Sequence, residues 1–185
     1  MLKWVQSRPP SIRQPSIHVS VSLTPENELV MQKLIDFVRY SHTPQKNNAN
    51  KIKPAVGLAA PQIGHNLKMY YIRIEDTVAE TGDKKIIEHA MINPKIIEKS
   101  EQIVCREKDE GCFSVRNNQE GFVPRSFEII VEGYDYLKQQ QVTITALGLE
   151  AIVFQHEQGH LEGNLYYDLI NKTKSWMKKS DWIIV

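Results

Sequence analysis

Cysteine is scarce in this chain. Its 185 residues hold two, Cys105 and Cys112, too few for the disulfide framework of a small secreted scaffold, and a reducing cytoplasm suits them better. No apolar run approaches the ~20 residues that a membrane-crossing helix needs. Charge of one sign is also lacking. Lys and Arg number 23 against 22 Asp and Glu, for a formal net charge of +1. Such a balance leaves no broad electrostatic footprint for an anionic membrane or for sequence-specific nucleic acid. Internal repeats and low-complexity segments are absent as well. What remains, 41% hydrophobic and 24% charged residues, is an ordinary globular balance, and residues 1–185 suit one domain.

Lys3, Arg8 and Arg13 precede the first acid, Glu26, among frequent serines, a composition similar to that of an organellar transit peptide. Pro9, Pro10 and Pro15 would break the amphipathic helix such a peptide needs. The segment is therefore expected to be extended chain belonging to the domain. Thr24-Pro25 is a helix start, a hydroxyl N-cap followed by Pro in the first turn. Leu29, Leu34, Phe37, Val38 and Ser41 then recur at helical spacing and predict a helix over 25–41. The polar stretch 42–53 reads as a loop, and His18, His42, His65 and His89 as solvated side chains. Strands are expected over 69–74, over 86–97 with a turn at Asn93-Pro94, over 127–134 and over 141–145. A second helix is expected over about 147–161, with Gly163 as its stop. Lys172, Lys174, Lys178 and Lys179 form a basic tail, read as solvated surface with a ribosome contact as the alternative. Trp182 to Val185 suits a short closing strand. Strands before and between two helices suggest an α+β fold rather than alternating βαβ units.

The second helix carries Gln155-His156-Glu157-Gln158-Gly159-His160, an H-E-x-x-H pattern. Positions four apart share a helix face, so both imidazoles can grip one ion while Glu157 serves as proton shuttle. Leu149, Ile152, Val153 and Leu161 make that face apolar, and two buried imidazoles one turn apart need a partner. A catalytic site of the zinc type takes three protein ligands and leaves a place for water. Cys112, in the Gly-rich turn Glu110-Gly111-Cys112-Phe113-Ser114, is the natural third. Cys105 has no such setting and reads as structural. Metallopeptidases also use H-E-x-x-H, but they take a downstream Glu or His as third ligand, and no convincing one follows His160.

Together with Gly57-Leu58-Ala59-Ala60-Pro61-Gln62, these segments resemble the peptide deformylases, whose motifs are written GxGLAAxQ, EGCLS and HExDH. Arg8 to Arg13, Met91-Ile92-Asn93-Pro94 and Val123-Pro124-Arg125 add to the resemblance. The insertion at 42–53 and the short tail resemble the subclass common in Gram-positive bacteria. The resemblance implies an α+β domain of mixed, mainly antiparallel sheets packed around a central helix carrying H-E-x-x-H. It implies hydrolytic removal of the formyl group from N-formylmethionyl peptides emerging from the ribosome. It implies one divalent metal ion, Fe(II) first, with Zn, Ni or Co as substitutes.

In that reading Cys112, His156 and His160 hold the metal, Glu157 moves protons, and the Gln62 amide and the Phe113 backbone N–H stabilise the oxyanion. Glu110 and Arg125 form a supporting pair beneath the site. Val56, Gly57, Leu58, Ile152 and Val153 are the candidates for substrate contact. Three positions depart from the family pattern. Ala55 stands for the first Gly, Phe113 for the Leu of the second motif, and Gly159 for the Asp before the second His. That Asp is expected to belong to the network of Glu110 and Arg125, so its loss bears on efficiency. A catalytically dead metal-binding protein is the alternative reading of these changes.

Overall fold

A computed structural model describes residues 10–44, 53–77, 84–108 and 110–185. Arg8, Pro9 and most of the 42–53 loop lie outside the described residues. The first helix, α1, spans Pro25–Ser41. The Thr24 hydroxyl accepts a hydrogen bond from the Asn27 N–H at 3.3 Å, Pro25 opens the first turn, and Glu26 and Glu28 face the positive end of the helix dipole. Val30, Met31, Leu34, Ile35, Phe37 and Val38 are its buried face, while Leu29 is exposed.

Five strands form an antiparallel sheet in the order β1 (Gly57–Ala59), β2 (Met69–Thr77), β3 (Lys84–Lys99), β6 (Glu128–Asp135), β7 (Gln140–Leu147). Strands β4 (Ile103–Cys105), β5 (Arg125–Ser126) and β8 (Ile183–Ile184) form a second, mixed sheet in which β4 and β8 run parallel. The second helix, α2, spans Gly148–Leu161 and touches strands of both sheets.

The large sheet is buried on both faces near β2. Leu58, Met69 and Tyr71 pack with α1, whereas Ala59, Tyr70 and Ile72 pack with Val153, Phe154 and Leu161 of α2. Alternate residues of a strand point to opposite faces, so the unbroken run Met69-Tyr70-Tyr71-Ile72 serves two cores at once. The register Gly57↔Ile72 and Ala59↔Tyr70 puts the Gly57 side of β1 on the α2 face.

The expected turn at Asn93-Pro94 is a kink within one sixteen-residue strand. Asn93 takes a φ of 51°, and the register to β6 shifts between Ile92 and Lys95. Asn tolerates that left-handed backbone. Its side chain is held in place, accepting from the Val19 N–H at 2.9 Å and donating to the Val19 carbonyl at 2.6 Å. The result is a bulge rather than a reversal.

The end of α2 is a Schellman stop. The Asn164 N–H donates to the Gly159 carbonyl at 2.8 Å and the Gly163 N–H to that of His160 at 3.3 Å, with Gly163 at φ 77°. A Cβ at Gly163 would meet the Arg13 carbonyl oxygen at 2.7 Å, so glycine is required twice over. No described helix is long and apolar enough to cross a membrane, and both cysteine thiols are free.

Two histidines expected in solvent are not there. His42 is half-buried, with Nε2 2.8 Å from the Ala55 carbonyl and Nδ1 3.2 Å from Glu75. His89 lies beneath α2, its ring 5.5 Å from that of Phe154. Its Nδ1 is 3.2 Å from Asp135 and its Nε2 3.6 Å from Glu150. Both segments look polar, but His42 at the C-cap of α1 is drawn to Ala55 and Glu75, and His89 sits at an inward-pointing position of β3. Burial acts to lower the His89 pKa, but the hydrogen bonds to Asp135 and Glu150 outweigh it and raise the pKa above 6.5, against the nearby charge of Lys138. A raised folded pKa gives stability that is complete below the unfolded value and fades as pH rises through the folded one. His89→Gln is therefore expected to cost about 1.5–3 kcal/mol in acid. That gap should shrink above neutrality, as read from urea denaturation of both proteins across pH.

Candidate metal centre

The H-E-x-x-H motif sits where α2 meets the turn before β5. His156 and His160 lie one helical turn apart, with ring centroids 5.1 Å apart. The 112–115 turn, closed by the Val115 N–H on the Cys112 carbonyl at 3.0 Å, brings the Cys112 Sγ to 3.3 Å from the His160 Nε2. One donor atom each from Cys112, His156 and His160 lie within 4.8 Å of one another. Donors at the bond lengths of a tetrahedral thiolate–imidazole site sit about 3.6 Å apart, so the three groups fit a divalent cation in separation and in chemistry.

The electrostatics favour the ligating form of Cys112. Burial pushes the Cys112 thiol up, but the positive charge of His160 and the hydrogen bond from His156 outweigh it and hold the pKa well below the usual thiol range. The thiolate is the ligating form. Burial likewise lowers His156, while Cys112 and Glu110 raise it, to about 10.

Behind His156 lies a closed polar network. Glu110 is buried, and its Oε2 is 2.8 Å from the His156 Nδ1. Arg125 at the start of β5 donates to both oxygens of Glu110, at 3.0 and 2.8 Å, and to the Gln155 carbonyl at 3.3 Å. Burial would raise the Glu110 pKa, but the charge of Arg125 and the hydrogen bond to His156 set it at about 2. Gln155 extends the network, accepting from the Ser126 N–H at 3.0 Å and donating to the Ser126 carbonyl at 2.9 Å. Sequence reasoning missed Gln155. Its one signal was an amide on a helix face otherwise read as apolar.

Glu157 is buried on the β1 side, and burial raises its carboxyl pKa. Its Oε2 has no hydrogen-bond partner among the described residues. The carboxylate lies flat against Gly57, where a Cβ would fall 2.8 Å from Glu157 Cδ and 2.9 Å from Cγ. Gln62 is oriented from the other side. Its Oε1 accepts from the Ala59 N–H at 2.7 Å, which turns Nε2 towards Ser114 Oγ at 3.2 Å and Cys112 Sγ at 3.7 Å. Ser114 belongs to the second motif, and its sequence position alone assigns it no role.

The remaining candidates divide. Phe113 is partly exposed, with its ring edge-on to Phe37 at 6.0 Å. Val56 is exposed, at 45%, and can meet a ligand. Ile152 and Val153 are buried, Val153 within the α2 core. The Leu58 side chain belongs to the α1 core, which leaves its backbone for contact with a peptide. Leu149, expected on the buried face, is 42% exposed. A Cβ at Gly159 would find within 4 Å only the carbonyl oxygen and Cβ of Asn164, at 3.6 and 4.0 Å. The network of Glu110, Arg125 and His156 closes without a side chain there.

The polypeptide deformylase family model matches residues 1–176 of the chain. The peptide deformylase of Mycoplasma genitalium is 36% identical over 174 residues, covering 94% of this chain and 86% of that protein. Peptide deformylase 2 of Bacillus subtilis is 34% identical over 176 residues, covering 95% and 92%. Among solved structures, a probable peptide deformylase from Synechococcus phage S-SSM7 superposes with a TM-score of 0.66 at 34% identity, over 92% of this chain and all of that one.

Two substitutions test this geometry without reference to activity. Gly57→Ala is expected to lose about 1–3 kcal/mol by overpacking against Glu157. In a Glu157→Ala background most of that loss should vanish, as a urea-denaturation double-mutant cycle would register. Gly159→Ala, which meets only ordinary van der Waals contact, should gain up to about 1 kcal/mol from helix propensity. A loss on the same assay would mean that the position is sterically committed.

Proposed function

The chain belongs to the polypeptide deformylase family, and from that premise we propose how its own residues carry out the reaction. It is a hydrolase that removes the N-formyl group from nascent peptides. We infer that Cys112, His156 and His160 hold one divalent cation. The observation that carries this reading is their convergence beside the buried Glu157. When bound, the cation supplies Lewis acidity, acidifying water and polarising the formyl carbonyl. Among the described residues no Glu or His downstream of His160 joins the donors, which separates the site from metallopeptidases that use the same helix motif.

The residues then divide the work. The Glu157 carboxylate takes a proton from the attacking water and returns it to the departing peptide nitrogen as the C–N bond breaks and formate leaves. Burial raises its pKa, which brings it nearer to the range useful for both steps. Gln62 presents its Nε2–H to the developing oxyanion because the Ala59 N–H already holds the opposite end of the amide. The Phe113 backbone N–H is assigned the second donor role. Glu110, backed by Arg125, orients His156. Val56 and Ile152, with the backbone of Gly57 and Leu58, are assigned to the N-formylmethionyl end of the substrate, and Val153 to the core that α2 shares with the sheet.

For the metal we propose Fe(II), replaceable by Zn, Ni or Co, since a thiolate with two imidazoles suits iron and zinc alike. Residues 1–185 are read as one domain working in the cytoplasm on chains leaving the ribosome. The basic tail is read as solvated surface, with a transient ribosome contact as the alternative.

Glu157→Gln should retain wild-type metal stoichiometry while formate release from formyl-Met-Ala-Ser falls about 10²–10⁴-fold. Full activity in that variant would remove Glu157 from proton transfer. Cys112→Ala should lose the metal under elemental analysis. Unchanged stoichiometry would exclude Cys112 as a ligand. Protein purified without oxygen should lose activity in air if the ion is iron and keep it if the ion is zinc.

A further inference from the structure

We propose that Tyr166 is a positioning residue for the metal centre, its ring setting the plane of His156 and its hydroxyl anchoring the loop that follows Cys112. This rests on the assignment of Cys112 and His156 as ligands. Tyr166 opens the single 3-10 turn Tyr166–Leu169 after α2 and is buried. Its ring lies nearly parallel to that of His156, 15° between planes with centroids 6.1 Å apart. His156 is thus held at two places, at Nδ1 by Glu110 and across one face by Tyr166.

The other end of Tyr166 reaches a different element. Its hydroxyl donates to Asn118 Oδ1 at 2.7 Å and accepts from the Gln119 N–H at 2.7 Å. Both functions of a buried phenol are satisfied. Asn118 and Gln119 belong to the connection running from the Cys112 turn to Arg125. Tyr166 also forms a small core with Val123 and Ile170, against which Cys112 and Val115 pack. One side chain therefore joins the helix that supplies two ligands to the loop that supplies the third. A His156 plane and a Cys112 turn that moved independently would let the sulfur and the ring nitrogens drift apart. The contacts of Tyr166 oppose that drift from the side that Glu110 does not reach.

The test uses the full chain loaded with Co(II), read by its thiolate-to-cobalt charge-transfer band and by the rate of cobalt loss to a chelator. Tyr166→Phe keeps the ring and drops both loop hydrogen bonds. Cobalt release is expected to quicken about tenfold, the lower end of the effect of supporting residues on metal affinity, with a weakened band. Tyr166→Leu, which also drops the stacked ring, should release faster still. Asn118→Ala should act through the same hydroxyl, so the pair Tyr166→Phe with Asn118→Ala should release no faster than Tyr166→Phe alone.

If both Tyr166 variants keep the wild-type band and release rate while only their melting temperatures fall, Tyr166 merely fills space and the proposal is overturned. Additive effects in the pair would overturn the hydroxyl's part in it. Should Tyr166→Leu fail to fold, Tyr166→Phe and Asn118→Ala still decide the matter. A wild-type chain that takes up cobalt without a charge-transfer band would overturn Cys112 as ligand, a failure of the centre itself and separable from a failure of Tyr166.

Discussion

The buried carboxylate of Glu110 is the constraint on which the rest of the site depends. It lies two residues before Cys112, and its charge is answered by the Arg125 guanidinium from β5 and by the ring of His156 from α2. Three elements distant in sequence must meet for this charge to be tolerated inside the protein. Removing one partner of such a buried pair typically costs about 3–5 kcal/mol. The pairing therefore fixes the approach of the Cys112 turn to the helix before any ion is considered. Gln155 adds a second clamp between α2 and β5, which keeps the start of β5 at the right height along the helix.

The sheet supplies the opposite wall. Because β2 is buried on both faces, α1 and α2 are held on opposite sides of one rigid surface, and β1 is carried at its edge. Gly57 then lets the Glu157 carboxylate sit against the strand, and the Ala59 N–H turns Gln62 inward. The site is thus built between the edge strand β1 and a helix tied down at its far end by the Schellman stop and by the contact of Gly163 with Arg13.

The departures from the family pattern look different in this frame. Gly159 removes a carboxylate that was expected to support Glu110 and Arg125, yet those two groups and His156 already satisfy one another. The position faces Asn164 and the helix stop instead. Phe113 in place of Leu has an aromatic neighbour, Phe37, that accommodates it. Neither change disturbs the convergence of the three donors, which gives no support to the reading of a decayed, inactive relative.

The sequence alone determined the parts that depend on local spacing. Helix α1 was legible to the residue from its cap and its apolar stripe, and the H-E-x-x-H helix from periodicity and its glycine stop. The residues that meet at the centre, Cys112, His156, His160, Glu157 and Gln62, were legible because their motifs are short and contiguous. Tertiary structure alone decided what depends on which face of a strand or helix meets which neighbour. It turned Asn93-Pro94 into a bulge through a hydrogen bond to Val19, drew His89 between Asp135 and Glu150, and gave Gly57 its steric duty towards Glu157. It also brought Tyr166 onto His156. The reason is physical: hydrogen-bonding patterns along one segment are written in adjacent residues, whereas close approach between segments depends on how the whole core closes.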